Sequence, residues 1–162
     1  MRTFLVVSMA VVTAAMVAGC SGEDDSGSSG TTSGSAPATG CAADTRKDVY
    51  TAGLSKPAGS LSVKLVESRP GPPIKGTNAM TLEIADAGGK PVDGATITIT
   101  PWMPDHAHGS AVKPVVTPAG GGKYEVDKVY LAMAGLWQIK VAVQPPGGGP
   151  LEETMFQFCL DG

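Results

Sequence analysis

The segment PWMPDHAHGS, residues 101–110, gathers Met103, Asp105, His106 and His108 within six residues. His106 and His108 are two apart, so in an extended segment their imidazoles point to the same side and can grip one ion. Pro104 stiffens the path from Met103 to the histidines. A second thioether, Met133, lies in YLAMAGLW. Imidazole with thioether is a soft, mixed donor set. It suits copper, Cu(I) above all, and does not suit magnesium or calcium. Zinc would accept the histidines and Asp105 but gains little from thioethers. The same residues carry a simpler reading too. The histidines are then solvated or hydrogen-bonded to loop backbone, and Met103 and Met133 fill the end of a hydrophobic core.

The segments around this loop say how it is held. Leu61, Val63 and Leu65 alternate with polar residues, as do Met80, Leu82 and Ile84, then Ala95, Ile97 and Ile99. Tyr124 and Val126 follow, then Trp137, Ile139, Val141 and Val143, and last Phe156, Phe158 and Leu160. Period-two patterning puts each set on one sheet face. Gly and Pro mark the turns at 70–73, 87–90, 119–122 and 145–150. No window of a dozen residues shows helical spacing. About seven strands at intervals of roughly ten residues predict an antiparallel β-sandwich of immunoglobulin-like type, with a small barrel as the alternative. PWMPDHAHGS directly follows ATITIT, so it is a connection at one end of the sandwich, where loops often carry function. Trp137 shares the parity of its strand's core residues and is expected inside. Trp102 has the opposite parity to Ile97 and Ile99 and is expected to face outwards.

The first residues, MRTFLVVSMAVVTAAMVAGC, give a basic Arg2, an apolar run from Phe4 to Ala18 and small residues before Cys20. This is the pattern of a secretory signal. VAGC resembles a bacterial lipobox, which implies lipid on Cys20 and a membrane tether without a span. Residues 1–19 read as the signal. Residues 20–40 read as the lipidated cysteine and a flexible Ser/Gly linker with nothing to bury. Residues 41–59 read as a lead-in, helical or extended, and 60–162 as the sandwich domain. Ser21 after the cysteine favours the outer membrane if the cell is Gram-negative. Without residues 1–19 the chain carries 11 basic and 15 acidic residues, and no basic run suits nucleic acid. With Cys20 lipidated, Cys41 and Cys159 remain. In an oxidising compartment they are expected to form a disulfide.

The order of motifs resembles the YtkA-like domain family, which includes FixH-type proteins. The residues that carry the likeness are Gly76-Thr77-Asn78, Pro91-Val92-Asp93-Gly94-Ala95, Trp102 through Gly109, Gly121-Gly122-Lys123-Tyr124 and Met133-Ala134-Gly135-Leu136-Trp137. The resemblance covers about residues 60–160. It implies an exported immunoglobulin-like sandwich with the Met/His loop and the Met-x-Gly-x-Trp loop as its mark. FixH-type members are linked to copper delivery and to assembly of respiratory oxidases. This sequence departs from the pattern at Ala107, where glycine is common, and at Ala134, where proline is common. It also has a lipid anchor in place of the FixH-type membrane helix.

The expected function is therefore that of a lipid-anchored binding module outside the cytoplasm. It holds or passes on copper through Met103, His106, His108 and Met133, with a respiratory or copper-handling envelope protein as partner. The alternative is a structural or protein-interaction domain without metal. An enzyme is not expected: Asp105, His106 and Ser110 are near in sequence, but nothing resembles a nucleophile elbow or a phosphate loop.

Overall fold

The computed structural model of the chain describes residues 40–162. The expectations for the signal, for lipid on Cys20 and for residues 21–39 of the linker lie outside the described residues. Nine strands run in order: β1 Leu54–Ala58, β2 Leu61–Arg69, β3 Gly76–Asp86, β4 Thr96–Met103, β5 His108–Gly109, β6 Val115–Gly120, β7 Lys123–Leu131, β8 Gly135–Gln144 and β9 Glu152–Leu160. They form two antiparallel sheets, with strand order β1-β2-β3-β7-β6 in one and β5-β4-β8-β9 in the other. The architecture is a β-sandwich and not a closed barrel. Among the described residues no helix is long and apolar enough to cross a membrane.

Every residue named above as core-facing by alternation is buried, from Leu61 through Leu160, and Trp137 is fully enclosed. The two inner faces meet in one core that also takes in Leu131, Val129 and Met103. At the end far from the Met/His loop, the buried Tyr124 hydroxyl donates to Val92 O and accepts from Ala95 N. This pins the β3–β4 connection across the mouth of the core.

The strand count exceeds the seven or so expected because β1, β5 and β6 carry weak signals. β5 is two residues long, and β1 and β6 contain Pro57 and Pro118. Both proline-bearing strands lie at sheet edges, where a missing ladder N–H is tolerated. Residues 54–58 of the lead-in thus pair with β2 in the first sheet.

The earlier part of the lead-in follows the free edge of β9. A short 3-10 turn covers Gly40–Ala42, and Cys41 is bonded to Cys159 with their Cα atoms 5.3 Å apart. Asp48 N donates to Gln157 O at 2.7 Å, and Gln157 N donates to the Asp48 carboxylate at 2.8 Å. Tyr50 sets its ring edge-on to Phe158, with centroids 6.0 Å apart, and its hydroxyl accepts from Ser68 N. An edge that would otherwise offer unpaired backbone is covered by the chain itself.

Candidate functional site

The strand directions bring five segments to one end of the sandwich: the connections 70–75, 104–107 and 132–134, the lead-in and the chain end. Asn78 organises the first of these. Its buried side chain accepts from Ile74 N and donates to the carbonyls of Ile74, Gly76 and Val129. The Gly-Thr-Asn motif is thereby explained as a loop clasp.

The Met/His loop turns back on itself within a few residues. β4 ends at Met103, a 3-10 turn covers Pro104–His106, Ala107 adopts φ 53 and ψ 36, and β5 returns along β4. Ala107 thus occupies the left-handed region, where a Cβ costs about 1–2 kcal/mol and glycine nothing. This accounts for the glycine usual at that position in the resembling motif. Replacing Ala107 by Gly is expected to raise stability by roughly 0.5–1 kcal/mol, the relief being offset in part by the freer unfolded chain. A thermal scan reads this as a melting point a few degrees higher, and a lower one contradicts the assignment.

The return places Met103 directly opposite His108 in the β4–β5 register. Side chains of such a pair share a face, with Cβ atoms about 5 Å apart. Met103 is 1% exposed and belongs to the core, whereas His108 is half-buried. The His108 ring meets the Trp137 ring edge-on, with centroids 6.2 Å apart. Its Nδ1 lies 3.2 Å from Gly109 O. A carbonyl only accepts, so in the neutral tautomer that makes this bond Nδ1 carries the hydrogen and Nε2 presents its lone pair. This is how ligating histidines are usually oriented by a second partner.

His106 is exposed, and its ring centroid is 5.9 Å from that of His108. Two imidazoles sharing one ion at about 2.0 Å per nitrogen have centroids about 5.2 Å apart for a tetrahedral angle and about 6.4 Å for a linear one. The observed separation falls between these values. Met133 joins the group through its backbone, since Trp137 Nε1 donates to Met133 O at 2.9 Å. Met133 is 40% exposed. Trp137 is thus the post on which both loops rest.

Gly135 completes the packing. Its φ is +116°, and a Cβ there would lie 2.5 Å from Met103 Cε. The Met-x-Gly-x-Trp motif is therefore a fitted piece. Trp137 holds the loop, and Gly135 leaves room for the thioether methyl of the facing loop.

Asp105 is engaged elsewhere. Arg46 Nη1 and Nη2 donate to its two carboxylate oxygens at 2.6 and 2.7 Å, while Arg46 Nε and Nη2 also hold Asp44 at 3.1 and 2.8 Å. Hydrogen bonding to Arg46 holds both carboxyls below their ordinary range. Arg46 in turn titrates above its usual value, through Asp105 first. The clamp ties the lead-in to the loop between Met103 and His106. Fifty-nine positions separate Arg46 from Asp105, and only the Asp44-x-Arg46 spacing hints that this guanidinium is held in place. Among the described residues no three His, Cys, Asp or Glu side chains come together as a metal group.

On the outer face, Trp102 is half-buried with Lys140 Nζ 5.2 Å above its ring, as parity required.

Among curated proteins none matches the chain. Solved structures of similar chain path include a DUF4426 family protein of Pseudomonas aeruginosa PAO1, 15% identical, covering 65% of this chain and 94% of that one at a TM-score of 0.48. They also include FetP of uropathogenic Escherichia coli strain F11 in its as-isolated form, at 13% identity, 68% and 94% coverage and a TM-score of 0.46. A copper-bound variant of the same FetP gives 14% identity, 70% and 97% coverage and a TM-score of 0.47. Such distant likenesses say nothing of what this chain binds. The YtkA-like family profile, by contrast, matches residues 55–142, more than half of the sequence and both loops of the site, and the chain belongs to the YtkA-like family.

Proposed function

We propose that the protein is a non-catalytic copper-binding module of the cell envelope, held to a membrane by lipid on Cys20. His106 and His108 supply the imidazoles, and Met103 and Met133 the thioethers. The observation that carries this reading is the placement of His108. Its Nδ1 lies 3.2 Å from Gly109 O, Met103 stands opposite it in register, and His106 lies within ion-sharing distance. Soft thioether with imidazole favours Cu(I), and in an oxidising compartment thioethers do not form disulfides as thiols do. The signal pattern, the lipobox likeness and the bridged cysteines together support a location outside the cytoplasm, at the outer membrane where the cell has one. A copper-handling or respiratory envelope protein is the partner that fits a carrier of this kind.

Burial of Met103 supports the second reading, an interaction domain whose loop only closes the sandwich. The two readings part in a Cu(I) titration of the purified chain against a competing chelator. Copper binding is expected in the wild type and lost in the His106→Ala/His108→Ala variant. Equal, negligible uptake by both sinks the copper reading. Because His108 touches Trp137, indole fluorescence should also fall in step with metal uptake.

A further inference from the structure

Among the described residues, most of β4 has no strand paired on the side away from β8. Pro101 O accepts Ser110 N–H at 3.2 Å on the side away from β8. Backbone groups alternate in direction along a strand, so the N–H and C=O of Ile97 and Ile99 point to that same side. Among the described residues, β5 meets β4 there only at Trp102 and Met103. Residues 96–100 therefore present an unpaired strand edge beside a cleft of ≈ 550 Å³, walled by Ile97, Ile99, Val112 and Val116.

Other edges are guarded. β1 carries Lys56 and Pro57, β6 carries Pro118, β5 is two residues long, and the lead-in runs along β9. Charge, proline, shortness and cover are the usual ways to block edge pairing. Residues 96–100 carry no charge or proline of their own, and Lys113 and Pro114 stand across the cleft beside them. Residues 96–100 read Thr-Ile-Thr-Ile-Thr, a sequence identical in both directions. An antiparallel copy centred on Thr98 would set Ile97 against Ile99 as hydrogen-bonded pairs and Thr against Thr on the exposed face, all favourable cross-strand partners. Val112, 38% exposed, lines the same cleft.

We infer that β4 is a self-association edge, at which a second copy of this chain pairs antiparallel about Thr98 and joins the two four-stranded sheets. The Met/His loops lie at opposite ends of the paired strands and stay open. A second copy is favoured over an unrelated extended peptide because the edge is its own complement.

Thr98 is exposed, so charge placed there is compatible with the fold, and on the two-fold axis it faces itself. Sedimentation of the full chain over a concentration series should show a monomer–dimer equilibrium. Thr98→Lys and Thr98→Glu, each alone, should weaken it by on the order of tenfold or more through like-charge repulsion, and an equimolar mixture should restore it. A monomeric wild type at every concentration overturns the inference. So does association that persists in the charged variants, or a mixture that stays monomeric. Unchanged copper uptake in both variants would keep this outcome separate from that of the metal site.

Discussion

Removal of the Cys41–Cys159 bridge, as Cys41→Ser with Cys159→Ser, is expected to lower the unfolding free energy by roughly 4 kcal/mol. The bridge spans 118 positions, nearly the whole described domain, so its loss frees the unfolded chain from a very large closed loop. The folded state loses little by comparison. Asp48 still pairs with Gln157, Arg46 still clamps Asp105, and Tyr50 still rests on Phe158. The variant should therefore fold to the same sandwich and melt roughly 15 °C lower. Urea titration checks this as a fall in midpoint, with a slope equal to or slightly above that of the wild type. An unchanged midpoint would mean that the bridge restrains nothing the rest of the fold does not already restrain.

Gly135→Ala is expected to cost roughly 2–3 kcal/mol. Most of this comes from the backbone, since φ of +116° is a glycine conformation that a Cβ strains. The remainder comes from Met103, whose methyl stands where the new Cβ would go. That methyl ends a flexible side chain, but the side chain is packed in the core, so it can turn aside only by disturbing its neighbours. The contact makes the two positions interdependent. Met103→Ala alone should cost about 2–5 kcal/mol as a core truncation. In the double variant the small side chain leaves room for the Cβ, and the combined cost should fall short of the sum by at least about 0.5 kcal/mol. Strict additivity in denaturant unfolding would contradict the contact. In copper titrations Gly135→Ala should weaken binding as well, because it displaces the residue opposite His108.

The core was legible because alternation over four or more residues leaves few ways to bury the apolar face. Leu61 through Leu65 and Trp137 through Val143 illustrate this. The edges were not, since β1 and β6 combine proline with polar residues and owe their strand form to a neighbouring ladder. The Cys41–Cys159 pairing followed from cysteine count and compartment. The Met/His loop stood out by donor type, but its internal division did not come from composition. The parity that turns Trp102 outwards also turns Met103 inwards with Ile97 and Ile99, so its burial was readable along β4. The exposed Met133 lies outside a strand, where parity gives no guidance. The Arg46–Asp105 clamp joins distant segments, and its one local sign is the Asp44-x-Arg46 spacing. Ala107 shows how a departure from a motif becomes intelligible once its dihedral angles are known.

In the proposed site, imidazole and thioether hold copper together at this end of the sandwich. X-ray absorption at the copper edge, on the full chain loaded with one equivalent of Cu(I), tests this arrangement most directly. Nitrogen and sulfur scatterers are expected in the same first coordination sphere, with the sulfur contribution reduced in Met133→Ala or Met103→Ala and the nitrogen contribution reduced in His108→Ala. A sphere of nitrogen and oxygen alone, unaltered by either methionine substitution, would contradict it.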